Sequence, residues 1–190
     1  MSTPNVLNEN QVVTGEVRLS YVNLFEARKM KDTDKDAKYS TTILIPKNTV
    51  DGQKTIANIK LAIQKAAEKG AQKHFGGRVP TAVNHTLRDG DTEVDDLGDL
   101  KKIKNPELAG NMYMRLSSKF APKVLNAQRQ EIINPLDIYS GAWGRVSLTC
   151  FAYSGDGKRG VSALLNNVMM TRDGDPLTSR LTGDEFEDAE

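Results

Sequence analysis

A mainly β fold with one long helix is predicted for this chain, of the five-stranded OB-barrel class with extra loops and hairpins. Three observations predict it. Apolar and polar residues alternate near the start and again beyond residue 110. A single stretch of helical period stands between those regions. Turn sequences rich in Gly and Asp join the later strands.

Each element follows from the residues in order. Residues 1–10 are polar and read as a loose N-terminus ahead of the folded part, residues 11–177. Over residues 11–25 Val13, Gly15, Val17, Leu19 and Tyr21 fall on one side, and Thr14, Glu16, Arg18 and Ser20 on the other, as in a half-buried strand. Residues 26–37 hold eight charges and read as a solvated hairpin loop. Residues 38–46 are β-branched and aromatic and end at a proline, which cannot donate to a sheet ladder. Ile56, Ile59, Ile63, Ala66 and Ala67 then recur at helical spacing. With Asp51 as N-cap and Gly76-Gly77 as stop, they predict one helix over residues 51–74. Residues 78–110 read as irregular and acidic. Strands resume at 111–120, near 123–126, at 142–154 and at 159–171, with tight turns at 154–158 and 172–176. Residues 178–190 read as a flexible acidic tail.

The charge is unevenly placed. Lys and Arg number 26 and Asp and Glu 25, a net of +1. The last seven residues hold five acids and no base, so the rest carries 26 bases against 20 acids, a net of +6. A basic body with a separate acidic end does not exclude a polyanionic partner. No apolar run approaches the roughly 20 residues of a membrane span, and residues 1–12 lack the basic start and apolar stretch of a signal peptide. One cysteine, Cys150, precludes an intramolecular disulfide and fits a reducing cytoplasm; with two histidines it cannot form the usual Cys/His zinc site.

Asp89, Asp91, Glu93, Asp95, Asp96 and Asp99 raise a metal reading. A calcium loop begun at Asp89 needs Gly at its sixth position and Glu at its twelfth, where Val94 and Leu100 stand. A nuclease using these carboxylates remains an alternative, since two-metal chemistry needs only a few acids. A solvated loop is the plainer account. His74 and His85 read as surface or capping residues, and Cys150 as a small core residue. No phosphate-binding Gly-rich loop or catalytic triad is visible, so no catalytic residue, metal or cofactor is assigned.

Two strands look functional. Met112, Met114, Leu116 and Phe120 would face a core, leaving Tyr113, Arg115, Ser117 and Lys119 on the other side. Val146, Leu148, Cys150 and Ala152 likewise leave Trp143, Arg145, Ser147, Thr149, Phe151 and Tyr153 together, with Lys158 and Arg159 at the following turn. Rings interleaved with cations suit single-stranded nucleic acid. Bases stack on rings for about 1–3 kcal/mol each, whatever their identity, and cations neutralise phosphates. Tyr113, Arg115, Lys119, Trp143, Arg145, Phe151, Tyr153, Lys158 and Arg159 are therefore the candidate DNA-binding residues. The competing reading packs these rings against the helix or a second chain.

Several segments also share their order with a known family. They are residues 18–25 (RLSYVNLF), 38–46 (KYSTTILIP), 87–91 (LRDGD), 139–143 (YSGAW), 160–168 (GVSALLNNV) and 172–177 (RDGDPL). Together they make the stretch from Val12 to Leu177 resemble the phage single-stranded DNA-binding proteins with a decorated OB-fold. The resemblance implies sequence-independent binding of single-stranded DNA, a role in phage replication or recombination, a homodimer, and the host cytoplasm as location. It implies no catalytic residue. Asn111 stands where the family pattern leads to a Gly-His start of the strand.

In that light Asp184, Glu185, Phe186, Glu187 and Asp188 look like the acidic tail of such proteins, with Phe186 as its apolar anchor. A tethered polyanion can compete with DNA for the same cations and, once displaced, engage replication proteins. The alternatives are the nuclease above and a structural phage protein whose aromatics lie in subunit contacts.

Overall fold

Five strands close into a ring in the computed structural model, which describes residues 7–29 and 36–177. The elements are β1 (Gln11–Val13), β2 (Val17–Arg28), β3 (Lys38–Pro46), α1 (Val50–Lys69), α2 (Ala71–His74), β4 (Leu87–Asp89), α3 (Lys101–Lys104), β5 (Asn111–Ser118), β6 (Lys123–Leu125), β7 (Trp143–Gly155) and β8 (Lys158–Arg172). β2 pairs with β3, β3 with β5, β5 with β8, β8 with β7, and β7 returns to β2. Within the ring the β5–β8 seam alone is parallel, at Ser117↔Leu164. This is the expected mainly β, five-stranded OB-type architecture. β1, β4 and β6 add to its edges through β7, β5 and β8.

The long β7–β8 hairpin makes closure possible. Its 13- and 15-residue strands each span about 40–50 Å at roughly 3.3 Å per residue. β7 can thus serve β2 at its Trp143 end and β1 around Leu148. Register shifts after Trp143 and Ser147 bend it. The turn is as predicted: Asp156 and Gly157 have φ of 49° and 74°, the left-handed pair that matches strand twist.

Leu19, Ile43, Met114 and Leu87 stand opposite one another across β2, β3, β5 and β4, each at most 2% exposed. Val146, Leu148 and Cys150 of β7 and Val161, Ala163 and Leu165 of β8 join them. α1 adds Ile59, Ile63, Ala66 and Ala67 of the predicted stripe together with Ala62, while Ile56 is only partly buried against it. Burial pushes the Cys150 thiol up to about 12, so it is an inert core group.

Four expectations are corrected. The single helix over 51–74 is two helices broken at Gly70. A Cβ there would lie 2.3 Å from the Ala152 Cβ, so only glycine lets the helix end approach β7 this closely. The N-cap is Thr49, whose hydroxyl accepts from the Gly52 amide (3.0 Å), while Asp51 accepts from the Glu16 amide (2.8 Å). The strand over 11–25 divides into β1 and β2: Val17 and Leu19 are buried, but Val13 points outward and Tyr21 is 62% exposed. Tyr21 has φ 49° and sits within a register shift, which breaks the alternation. Phe120 is 80% exposed rather than in the core, because β5 ends at Ser118 and the Phe120 amide turns back to the Ser118 hydroxyl (3.0 Å).

Two loop expectations are also refined. The irregular 78–110 stretch contains β4, α3 and a 3-10 turn at Pro106–Leu108. β2 runs on to Arg28, into the predicted 26–37 loop. Residues 30–35 and the acidic tail lie outside the described residues. Among the described residues no helix is long and apolar enough to cross a membrane.

Candidate nucleic-acid interface

Because Leu19, Ile43 and Met114 face inward, their strand neighbours face outward. Register places Arg18, Leu44 and Tyr113 in one outer row and Ser20, Thr42 and Arg115 in the next. Asn23, Ser40 and Ser117 form a third. Above them lies a groove of about 660 Å³ lined by Tyr21, Arg28, Lys29, Thr42, Tyr113, Arg115 and Ser140 among others. Rings, cations and short hydroxyls thus meet in one depression. The Tyr21 hydroxyl donates to the Asn105 side-chain oxygen (3.3 Å) and so ties the groove to the β4–β5 connection.

That connection is held by its own acids. Lys47 pairs with Asp89 (2.7 Å) and Asp91 (2.5 Å), Lys102 with Asp91 (3.2 Å), and Lys104 with Asp95 (2.6 Å). Lys47, then the Gly110 amide and Lys102, hold the Asp91 carboxyl far below the usual range. These carboxylates are acceptors that clasp the loop, and the described residues hold no group of three metal-ligating side chains.

Trp143 stands opposite Arg18 in register, on the same outer face as Tyr113. Three strand steps, about 14 Å, separate the two rings. The Arg172 guanidinium lies 4.4 Å from the Trp143 ring centroid. It is fixed by Glu16, whose carboxylate accepts from Arg172 Nε (2.9 Å) and the Thr171 hydroxyl (2.7 Å). Burial pushes the Glu16 carboxyl up, but the hydrogen bonds from Arg172 and Thr171 outweigh it and hold it below its ordinary value. Gly174 abuts the ring edge, where a Cβ would lie 2.8 Å from Trp143 Cδ1. One face of this ring is therefore already covered by a cation.

The remaining candidates separate. Phe151 lies eight residues along β7 from Trp143, about 26 Å away. It lines a different notch with Lys69, Lys73 and His74. Tyr153, Lys158 and Arg159 follow at the hairpin end. Arg145 donates to the Thr14 carbonyl (2.9 Å) and borders a shallow pocket with Val13 and Met169. Lys119 pairs with Asp36 (2.5 Å) just beyond β5. Tyr21, Arg28 and Lys29 line the groove without having been selected from the sequence. Parity groups Tyr21 with Val17 and Leu19, and the charge run puts the other two in a solvated loop.

Comparison with known proteins gives concordant matches. The family model described as Enterobacter phage Enc34, ssDNA-binding protein matches residues 10–190. Protein p50 of Acyrthosiphon pisum secondary endosymbiont phage 1 is 30% identical over 187 residues, 94% of this chain and 93% of that protein. The single-stranded DNA-binding protein from bacteriophage Enc34, solved in complex with ssDNA, superposes with a TM-score of 0.68 at 25% identity. That match covers 89% of this chain and 90% of the other. The bacteriophage T7 single-stranded DNA-binding protein gp2.5 shares the fold at a TM-score of 0.59 and 11% identity, over 95% and 94% of the two chains.

Proposed function

The chain belongs to the Enterobacter phage Enc34 ssDNA-binding protein family, and on that premise we propose that it binds single-stranded DNA without a sequence code. It acts in phage DNA replication or recombination, as a non-catalytic homodimer in the host cytoplasm. The supporting observation is the outer groove of β2, β3 and β5, where Tyr21 and Tyr113 meet Arg28, Lys29 and Arg115. Rings accept any base by stacking and the cations balance phosphates, so this affinity needs no sequence code. Trp143 extends the same face.

The acidic tail is part of the proposal. The Leu177 amide donates to the Ser140 carbonyl (2.9 Å), and Ser140 lines the groove. The chain beyond Leu177 therefore starts at the rim of the site. Residues 178–190 can reach about 40–45 Å when extended, more than enough to return to it. The segment from Asp184 to Asp188 would compete with DNA for the groove cations and, once displaced, present Phe186 to replication proteins of phage or host.

Anisotropy of labelled oligo-dT tests the central claim. Binding should be tight at low salt and fall linearly in log–log form as salt rises. Absence of binding at low salt by both the full chain and a chain ending at residue 183 overturns it. A sedimentation mass of one chain at working concentration overturns the dimer.

A further inference from the structure

Phe120 is the most exposed aromatic side chain among the described residues, at 80%. It stands two residues past the end of β5, in the run 119–123, Lys-Phe-Ala-Pro-Lys. β5 runs toward it from the groove, where Tyr113 and Arg115 stand. Tyr113 is opposite Leu44, Arg115 opposite Thr42, Ser117 opposite Ser40, and Ser118 opposite Tyr39. Between Tyr113 and Phe120, about 20 Å at the strand rise, the outward, partly exposed positions are Arg115, Thr42 and Ser117, whereas Leu44, Ser40 and Ser118 are buried. The far end is cationic: Lys38, Lys119 and Lys123 are all exposed, and Asp36 feels both Lys119 and Lys38.

We propose that Phe120 is a second base-stacking platform for single-stranded nucleic acid. The strand leaves the groove at Tyr113 and Arg115, runs over Thr42 and Ser117, and sets a base on the Phe120 ring. Its phosphates there lie beside Lys38, Lys119 and Lys123. The surroundings favour this occupant over a protein. Anchors of protein interfaces sit in desolvated pockets depleted of lysine, whereas a solvent-exposed ring flanked in sequence by exposed lysines suits a ligand that joins a flat apolar face to anions. The proposal rests on the single-stranded DNA reading above.

The test uses two labelled oligo-dT lengths, about five and about fifteen nucleotides, within the span of known OB-fold sites, and the full chain. Phe120→Ala should leave the short oligonucleotide unaffected and weaken the long one about 5–150-fold, the equivalent of one lost stack. Phe120→Trp should restore the long-oligonucleotide affinity and Phe120→Leu should not, since stacking needs a π face and mere apolarity does not supply one. Wild-type affinity of Phe120→Ala for the long strand overturns the proposal, as does equal loss on both lengths or equal rescue by Leu. Equal rescue by Leu would point to an apolar contact with a second chain. If the wild-type protein binds neither length at low salt, the underlying reading falls first and this one with it.

Discussion

Tyr113 and Trp143 present similar rings to the same outer face in different states. Trp143 carries Arg172 over one side and Gly174 at its edge, whereas Tyr113 borders the open groove beside Arg115. Stacking should therefore depend more on Tyr113. Tyr113→Ala is expected to weaken oligo-dT binding about 5–150-fold. Tyr113→Phe should keep wild-type affinity, because stacking uses the ring and not the hydroxyl. Equal affinity of the Ala and wild-type proteins would remove Tyr113 from the site. Its outward direction was legible in the sequence, because β5 keeps strict alternation from Tyr113 to Ser118. The directions of Tyr21 and Phe120 were not, because one lies in a register shift at positive φ and the other lies past the strand end.

Among the elements, α1 and the β7–β8 hairpin were the most readable. The hairpin turn is encoded by Asp156-Gly157, and the buried face of α1 by apolar spacing that needs no distant partner to be recognised. The end of α1 was not readable, because Gly70 is required by a contact with Ala152, 82 positions further along the chain. This decides the sign of one substitution. Ala for Gly in a helix gains up to about 1 kcal/mol in propensity. A Cβ placed 2.3 Å from the Ala152 Cβ cannot rotate away, and overpacking of this kind costs about 1–3 kcal/mol. Gly70→Ala should therefore destabilise the fold, seen as a lower denaturant midpoint with unchanged slope. A raised midpoint would show that β7 and the helix end separate freely.

For the whole molecule, the near-neutral charge conceals a +6 body and an acidic end of five carboxylates. If the two compete with DNA as proposed, deleting residues 184–190 should tighten oligo-dT binding most at 20–50 mM salt. Screening there extends over roughly 14–21 Å. At high salt the two proteins should converge. Unchanged affinity at low salt would remove the competition and leave recruitment by Phe186 standing.

Taken by itself, the sequence determined most of the strands, the helix face, the hairpin turn and the division between basic body and acidic end. All of these are local: period, propensity and turn chemistry act over a few residues. Tertiary structure alone decided which outward residues meet. Trp143 and Phe151 have the same parity on β7 yet stand about 26 Å apart. Tyr113 and Tyr21 come from strands distant in sequence yet share one groove. The reason is ring closure: the β7–β2 and β5–β8 seams join segments more than 40 residues apart, and their registers carry no signature in either segment alone.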